Sequence, residues 1–93
     1  MKFLCSCGEV VRDNTDYQEQ KAYLIPDQSY ESAIEQIEAG QSPWDALSKV
    51  ERVMYQCHAC ARLFIDDHNG ELVCFVPEEK IAFGILKGKA SGA

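Results

Sequence analysis

The feature that most constrains this chain is its two cysteine pairs, Cys5-Ser6-Cys7-Gly8 near the start and Cys57-His58-Ala59-Cys60 past the middle. A turn that sets two sulfurs a tetrahedral edge apart needs only one or two residues between them, and Gly8 supplies positive-φ freedom just after the first pair. Cys5, Cys7, Cys57 and Cys60 therefore read as one four-thiolate metal site. Residues 8–56 lie between the pairs, so a shared ion would hold the N-terminal strand against the middle of the chain. Closing so long a loop costs only a logarithm of its length.

Disulfides suit this spacing poorly, because each pair would oxidise locally into a small strained or redox-active ring. Met1-Lys2-Phe3-Leu4 runs directly into Cys5 with no apolar leader, which points to reduced thiols and a cytoplasmic address. Zinc suits two short turns that face each other around a closed site. An iron-sulfur cluster takes the same four ligands, and spacing alone leaves both open.

At 93 residues and 46% hydrophobic content, one small domain is expected over 1–86, followed by a flexible basic tail at 87–93. So short a chain gains from a staple. Ordering it costs on the order of 100 kcal/mol of conformational entropy, against which a structural zinc offers roughly 10–16 kcal/mol. The net charge of −6 argues against nucleic-acid phosphates and anionic membranes as primary partners and favours a basic protein. No apolar run approaches the length of a membrane span.

Read in order, Lys2-Phe3-Leu4 and Glu9-Val10-Val11 predict strand, knuckle and strand. Arg12 to Asp16 is a loop in which Asp13 and Asp16 are expected to bond to their own backbone. Lys21 to Ile25 is β-prone and stops at Pro26. A two-helix insertion is then predicted at about 27–52. Its first helix is capped by Asp27 or Ser29, carries Tyr30, Ala33, Ile34 and Ile37 as an apolar stripe, and ends at Gly40. Ser42-Pro43-Trp44-Asp45 opens the second with a hydroxyl cap, and its stripe continues through Ala46, Leu47, Val50 and Val53 or Met54. Strands at 53–56, 62–65 and 71–76 form a three-stranded meander with a hairpin at Asp66 to Gly70. Cys74 is expected as a buried apolar thiol, His58 and His68 as exposed polar residues, and 81–86 as a short turn or strand.

The acidity is concentrated in the insertion, where Asp27, Glu31, Glu35, Glu38, Asp45 and Glu51 face a single Lys49. Glu31, Glu35 and Glu38 share one helix face, either as a solvated surface or as a docking site for a basic partner. Trp44 either seals the small core or stands exposed as an interface anchor.

Cys-x-Cys-Gly before one strand and Cys-x-x-Cys between two later ones resemble the zinc-ribbon and rubredoxin-like modules over residues 1–12 and 53–76. The usual ribbon has two residues inside each pair, whereas here Ser6 stands alone in the first. The resemblance implies an α+β fold, a small antiparallel zinc-ribbon-like sheet with a two-helix insertion. More loosely, Asp13-Asn14-Thr15-Asp16, Ala22 to Gln28 and the later meander look like a group of short bacterial proteins, some of which accompany toxins as immunity partners.

An enzyme would need a nucleophile with a base, an open metal position or a phosphate cradle, and none is visible in this sequence. The expected function is a non-enzymatic binding module, an immunity-type protein that neutralises a basic toxin or enzyme through Glu31, Glu35, Glu38 and Trp44. An accessory role in a transcription or translation assembly and a small redox or electron-transfer protein are the alternatives.

Overall fold

The computed structural model describes residues 2–13 and 18–88. The chain divides into two compact units, one built from Met1–Ala22 and Val53–Ala93 and the other from Tyr23–Arg52. Antiparallel strands and two short helices make it an α+β protein.

In the first unit β1 (Lys2–Leu4) and β2 (Val10–Arg12) form an antiparallel hairpin, with Phe3 opposite Val11 and the first cysteine pair in the bend. A second sheet has the order β3 (Lys21–Leu24), β4 (Arg52–Gln56), β5 (Leu63–Asp66) and β6 (Leu72–Phe75). The predicted meander is thus extended to four strands by the β-prone run before Pro26. Tyr55 lies opposite Phe64, and Phe64 opposite Cys74, so these three side chains share one face. That face meets the hairpin in a core of Cys5, Val11, Tyr55, Cys57 and Phe64. Phe3 packs edge-on against Phe64 and Tyr55, with ring centroids 4.8 and 5.5 Å apart.

The hairpin between β5 and β6 sits where Asn69-Gly70 predicts it, but His68 and Gly70 take the left-handed angles, at φ 72 and 85°. The Asp66 and Asp67 carboxylates accept the backbone N–H groups of His68 and Asn69 and so hold the loop. Cys74 is exposed, contrary to the expected burial, because among the described residues β6 is an edge strand of the sheet. Among the described residues, 81–86 forms no strand. The segment turns at Gly84, whose carbonyl accepts the Lys87 N–H at 3.0 Å. The predicted tail from residue 89 onward lies outside the described residues.

The second unit holds α1 (Asp27–Glu38) and α2 (Pro43–Ser48). Neither Asp27 nor Ser29 caps α1 with its side chain. Pro26, extended at ψ 142°, offers its carbonyl to the N–H groups of Ser29 and Tyr30 instead. Ser42 likewise caps α2 through its carbonyl, which accepts the Ala46 N–H, and not through its hydroxyl. Gly40, at φ 103°, ends α1 as expected. α2 stops at Ser48, so Val53 and Met54 belong to β4 and not to a helical stripe.

The apolar stripe of α1 is only partly buried. Ala33 and Ala46 are the fully buried residues of the two helices, while Tyr30 is 52% and Ile34 37% exposed. Trp44 is 74% exposed, which removes the reading that places it in a core. No helix among the described residues is long and apolar enough to cross a membrane.

Candidate metal centre

The two cysteine pairs are built on the same backbone plan. In the first, the Cys5 N–H donates to the Glu9 carbonyl at 2.8 Å and the Cys5 carbonyl accepts the Gly8 N–H at 2.9 Å, with Gly8 at φ 96°. In the second, the Cys57 N–H donates to the Arg62 carbonyl at 2.9 Å and the Cys57 carbonyl accepts the Ala61 N–H at 2.9 Å, with Ala61 at φ 65°. The second turn is one residue longer, and its left-handed position holds an alanine. An L-residue there costs about 1–2 kcal/mol, so the turn is kept against local strain.

These turns bring the four sulfurs together. Cys5 Sγ lies 3.5 Å from Cys60 Sγ, Cys7 Sγ lies 3.6 Å from Cys57 Sγ, and all four are within 4.8 Å of one another. A tetrahedral ion with metal–sulfur bonds of about 2.3 Å has edges of about 3.8 Å, so the cluster is close to the size of a single-ion site. Four cysteines are therefore positioned to hold a metal ion. Cys5 and Cys57 are buried, Cys60 is half-buried and Cys7 is exposed.

Hydrogen bonds tune the sulfurs unequally. Burial pushes the Cys57 thiol up to about 12, against the backbone amides of Cys60 and Ala59. Burial also raises Cys60, but the Arg62 backbone amide and guanidinium outweigh it and bring this thiol down to about 6. The guanidinium Nη1 donates to Cys60 Sγ at 3.2 Å. At Cys7 the amide of Glu9 lowers the thiol, while desolvation and the neighbouring Cys5 and Cys60 thiols raise it, for a net rise.

His58 and Cys74 both lie outside the four-sulfur cluster. His58 is exposed, with Nε2 3.7 Å from Glu9 Oε1 and its ring edge-on to Phe83. Glu31, Glu35, Glu38 and Trp44 are exposed on the helical unit.

The family model described as Domain of unknown function (DUF8617) matches residues 1–79. The chain belongs to that family. No curated protein and no solved structure matches it. The DUF8617 match takes in both cysteine pairs, all six strands and both helices, and ends before the turn at Gly84.

Three features inside the DUF8617 match escape a reading of the sequence. Asp13 has partners far beyond its own loop. Its carboxylate accepts the Tyr55 hydroxyl at 2.5 Å and the Lys21 ammonium at 3.0 Å, which supplies the charge-paired setting its neighbours in sequence lack. Asp16 lies outside the described residues. Gln56 is fully buried, donating to the Ala61 carbonyl at 3.3 Å and accepting the Gly84 N–H at 3.0 Å, so it braces the second turn from beneath. Arg62 reaches a sulfur. No sequence pattern announces the first two, whereas a cation two residues past a ligand cysteine is a signal that spacing could have raised.

Proposed function

We propose that this protein is a non-enzymatic binding module whose four-cysteine unit is stapled by one zinc ion and whose helical unit grips a basic protein partner. The immunity-type reading, neutralisation of a cationic toxin or enzyme by direct contact, suits it best. The observation that carries this is the surface of α1 and α2. Tyr30 and Ile34 stand one turn apart and exposed, flanked on α1 by Glu31, Glu35 and Glu38, and Trp44 projects from α2. Exposed aromatics beside unpaired acids fit a partner that presents apolar side chains among lysines or arginines. Opposite charge speeds the encounter, and burial of the aromatics slows release.

Zinc is favoured over a cluster by the sulfur separations. A cluster interposes several irons and bridging sulfides between its terminal thiolates and spreads them further apart than the edge of a single-ion tetrahedron. A mononuclear iron would fit the same sulfurs, and colour separates the two, since a zinc protein is colourless with about one equivalent of metal.

For function, parent protein and a Glu31→Lys, Glu35→Lys, Glu38→Lys variant serve as baits in extracts of the source cell. The parent is expected to retain a basic protein that the reversed bait and Trp44→Ala both lose. Recovery of the same proteins by every bait refutes the docking surface. All four positions are exposed, so circular dichroism should show the variants folded.

A further inference from the structure

Four thiolates on a divalent ion leave two negative charges, and here two of the four sulfurs are buried in an apolar core beside Tyr55, Phe64 and Val11. In such surroundings an uncompensated charge is expensive, and a nearby cation is worth far more than it would be in water. Two other cations of this unit are engaged elsewhere. Lys21 pairs with Asp13 at 3.0 Å and Lys87 with Glu19 at 3.8 Å. Arg62 differs, because it holds the second cysteine turn in two ways. Its carbonyl accepts the Cys57 N–H at 2.9 Å, and its guanidinium donates to Cys60 Sγ at 3.2 Å.

We propose that Arg62 is the counter-charge of the metal centre, a positioning residue that offsets the negative charge of the loaded site and so sets how tightly the ion is held. The inference rests on the reading of Cys5, Cys7, Cys57 and Cys60 as a divalent-metal site. Arg62 directly follows the left-handed position at Ala61, and from there its guanidinium reaches Cys60 Sγ. A guanidinium suits the place because it stays charged at any working pH and is more weakly hydrated than an ammonium, so it gives up less on leaving water. By donating to Cys60 it also draws electron density from that sulfur, which must alter the sulfur-to-metal charge-transfer energy of a coloured ion bound there.

The test is a cobalt(II) titration of the full chain, with zinc competition, on the parent and on Arg62→Gln, Arg62→Lys and Arg12→Gln. Arg62→Gln is expected to bind both metals about 10–100-fold more weakly, the usual effect of removing an outer hydrogen bond to a ligand, and to shift the sulfur-to-cobalt band. Arg62→Lys keeps the charge and should stay within a few-fold of the parent, with a shifted band because the donor has moved. Arg12→Gln, exposed on β2, should match the parent in both. Parent-like affinity and an unchanged band in Arg62→Gln overturn the proposal. Should that variant not fold, an unchanged band in Arg62→Lys overturns it. A parent chain that takes up neither metal overturns the metal reading itself, so the two failures are distinguishable.

Discussion

Substituting Tyr55 by phenylalanine tests the polar bond that ties the first unit together. The hydroxyl is the only group removed, and it lies on a buried ring of β4, donating to Asp13 at 2.5 Å. A hydrogen bond to a charged group contributes about 1.5–3 kcal/mol. Asp13 retains Lys21 at 3.0 Å, and its side chain is 21% exposed, so water replaces part of what is lost. The loss should therefore fall near the lower end, about 1.5 kcal/mol. In zinc-saturated buffer at pH 7, with a urea slope of about 1–2 kcal/mol per molar, the midpoint should fall by about 1 M. The pH signature is specific. The Tyr55 hydroxyl, and after it Lys21, hold the Asp13 carboxyl below its ordinary value despite partial burial. A depressed carboxylate contributes stability that is full above the unfolded value of about 3.9 and is lost as pH falls through the lower folded one. The gap between parent and variant should thus be flat from pH 8 to 5 and narrow only below about pH 4, whatever acid does to the metal site in both. A gap that closes near pH 6.5, or a full effect in an Asp13→Asn background, refutes the assignment.

Other outcomes follow from single residues. A Cβ at Gly8 meets open space, so Gly8→Ala costs only the left-handed conformation. Strain of about 1–2 kcal/mol, less about 0.4–1 kcal/mol of reduced unfolded-chain freedom, leaves about 1 kcal/mol of destabilisation in urea melts. Ala61→Gly relieves the same strain but loses a buried methyl of about 0.8 kcal/mol, and should move stability by less than about 1 kcal/mol. With metal bound, maleimide should label one thiol, the exposed Cys74, and peptide mapping should find it there. Labelling should accelerate as pH rises, because burial and the nearby Cys5 and Cys60 thiols hold its acidity down. Trp44, in water, should emit like free indole and shift to the blue only when a partner covers it, which tryptophan fluorescence on titration with the retained partner measures directly.

Most strands and both helices are legible in the sequence because local rules settle them. Alternation fixes β1 and β4, Asn69-Gly70 fixes the hairpin, Pro43 opens α2 and Gly40 closes α1. The metal centre is legible for the same reason, since Cys-x-Cys and Cys-x-x-Cys are short-range patterns. What is not legible depends on contacts between distant residues. Asp13 looks like a loop aspartate until β3 and β4 bring Lys21 and Tyr55 beside it. Cys74 looks buried by its apolar neighbours, and only the strand order shows that β6 is an edge strand among the described residues. Trp44 carries the same residue signal in a core as on a surface, so composition cannot decide its place.

The two units differ in what could hold them rigid, and the difference bears on where a partner would be gripped. In the first, Cys5 and Cys57 belong both to the four-sulfur cluster and to the buried core, so a bound ion and the apolar cluster would be a single object. The binding energy of a structural zinc, roughly 10–16 kcal/mol, would enter the core directly, and a chelator should then loosen Phe3, Tyr55 and Phe64 along with the sulfurs. In the second, the fully buried side chains of the helices are two alanines. Burying a methyl contributes about 0.8 kcal/mol, whereas ordering each residue costs on the order of 1–2 kcal/mol. Helices so lightly packed gain most from any surface that covers Tyr30, Ile34 and Trp44, each of which would bury far more than an alanine. The acids beside them select what that surface must carry, which is why the proposed partner is both basic and apolar at its point of contact.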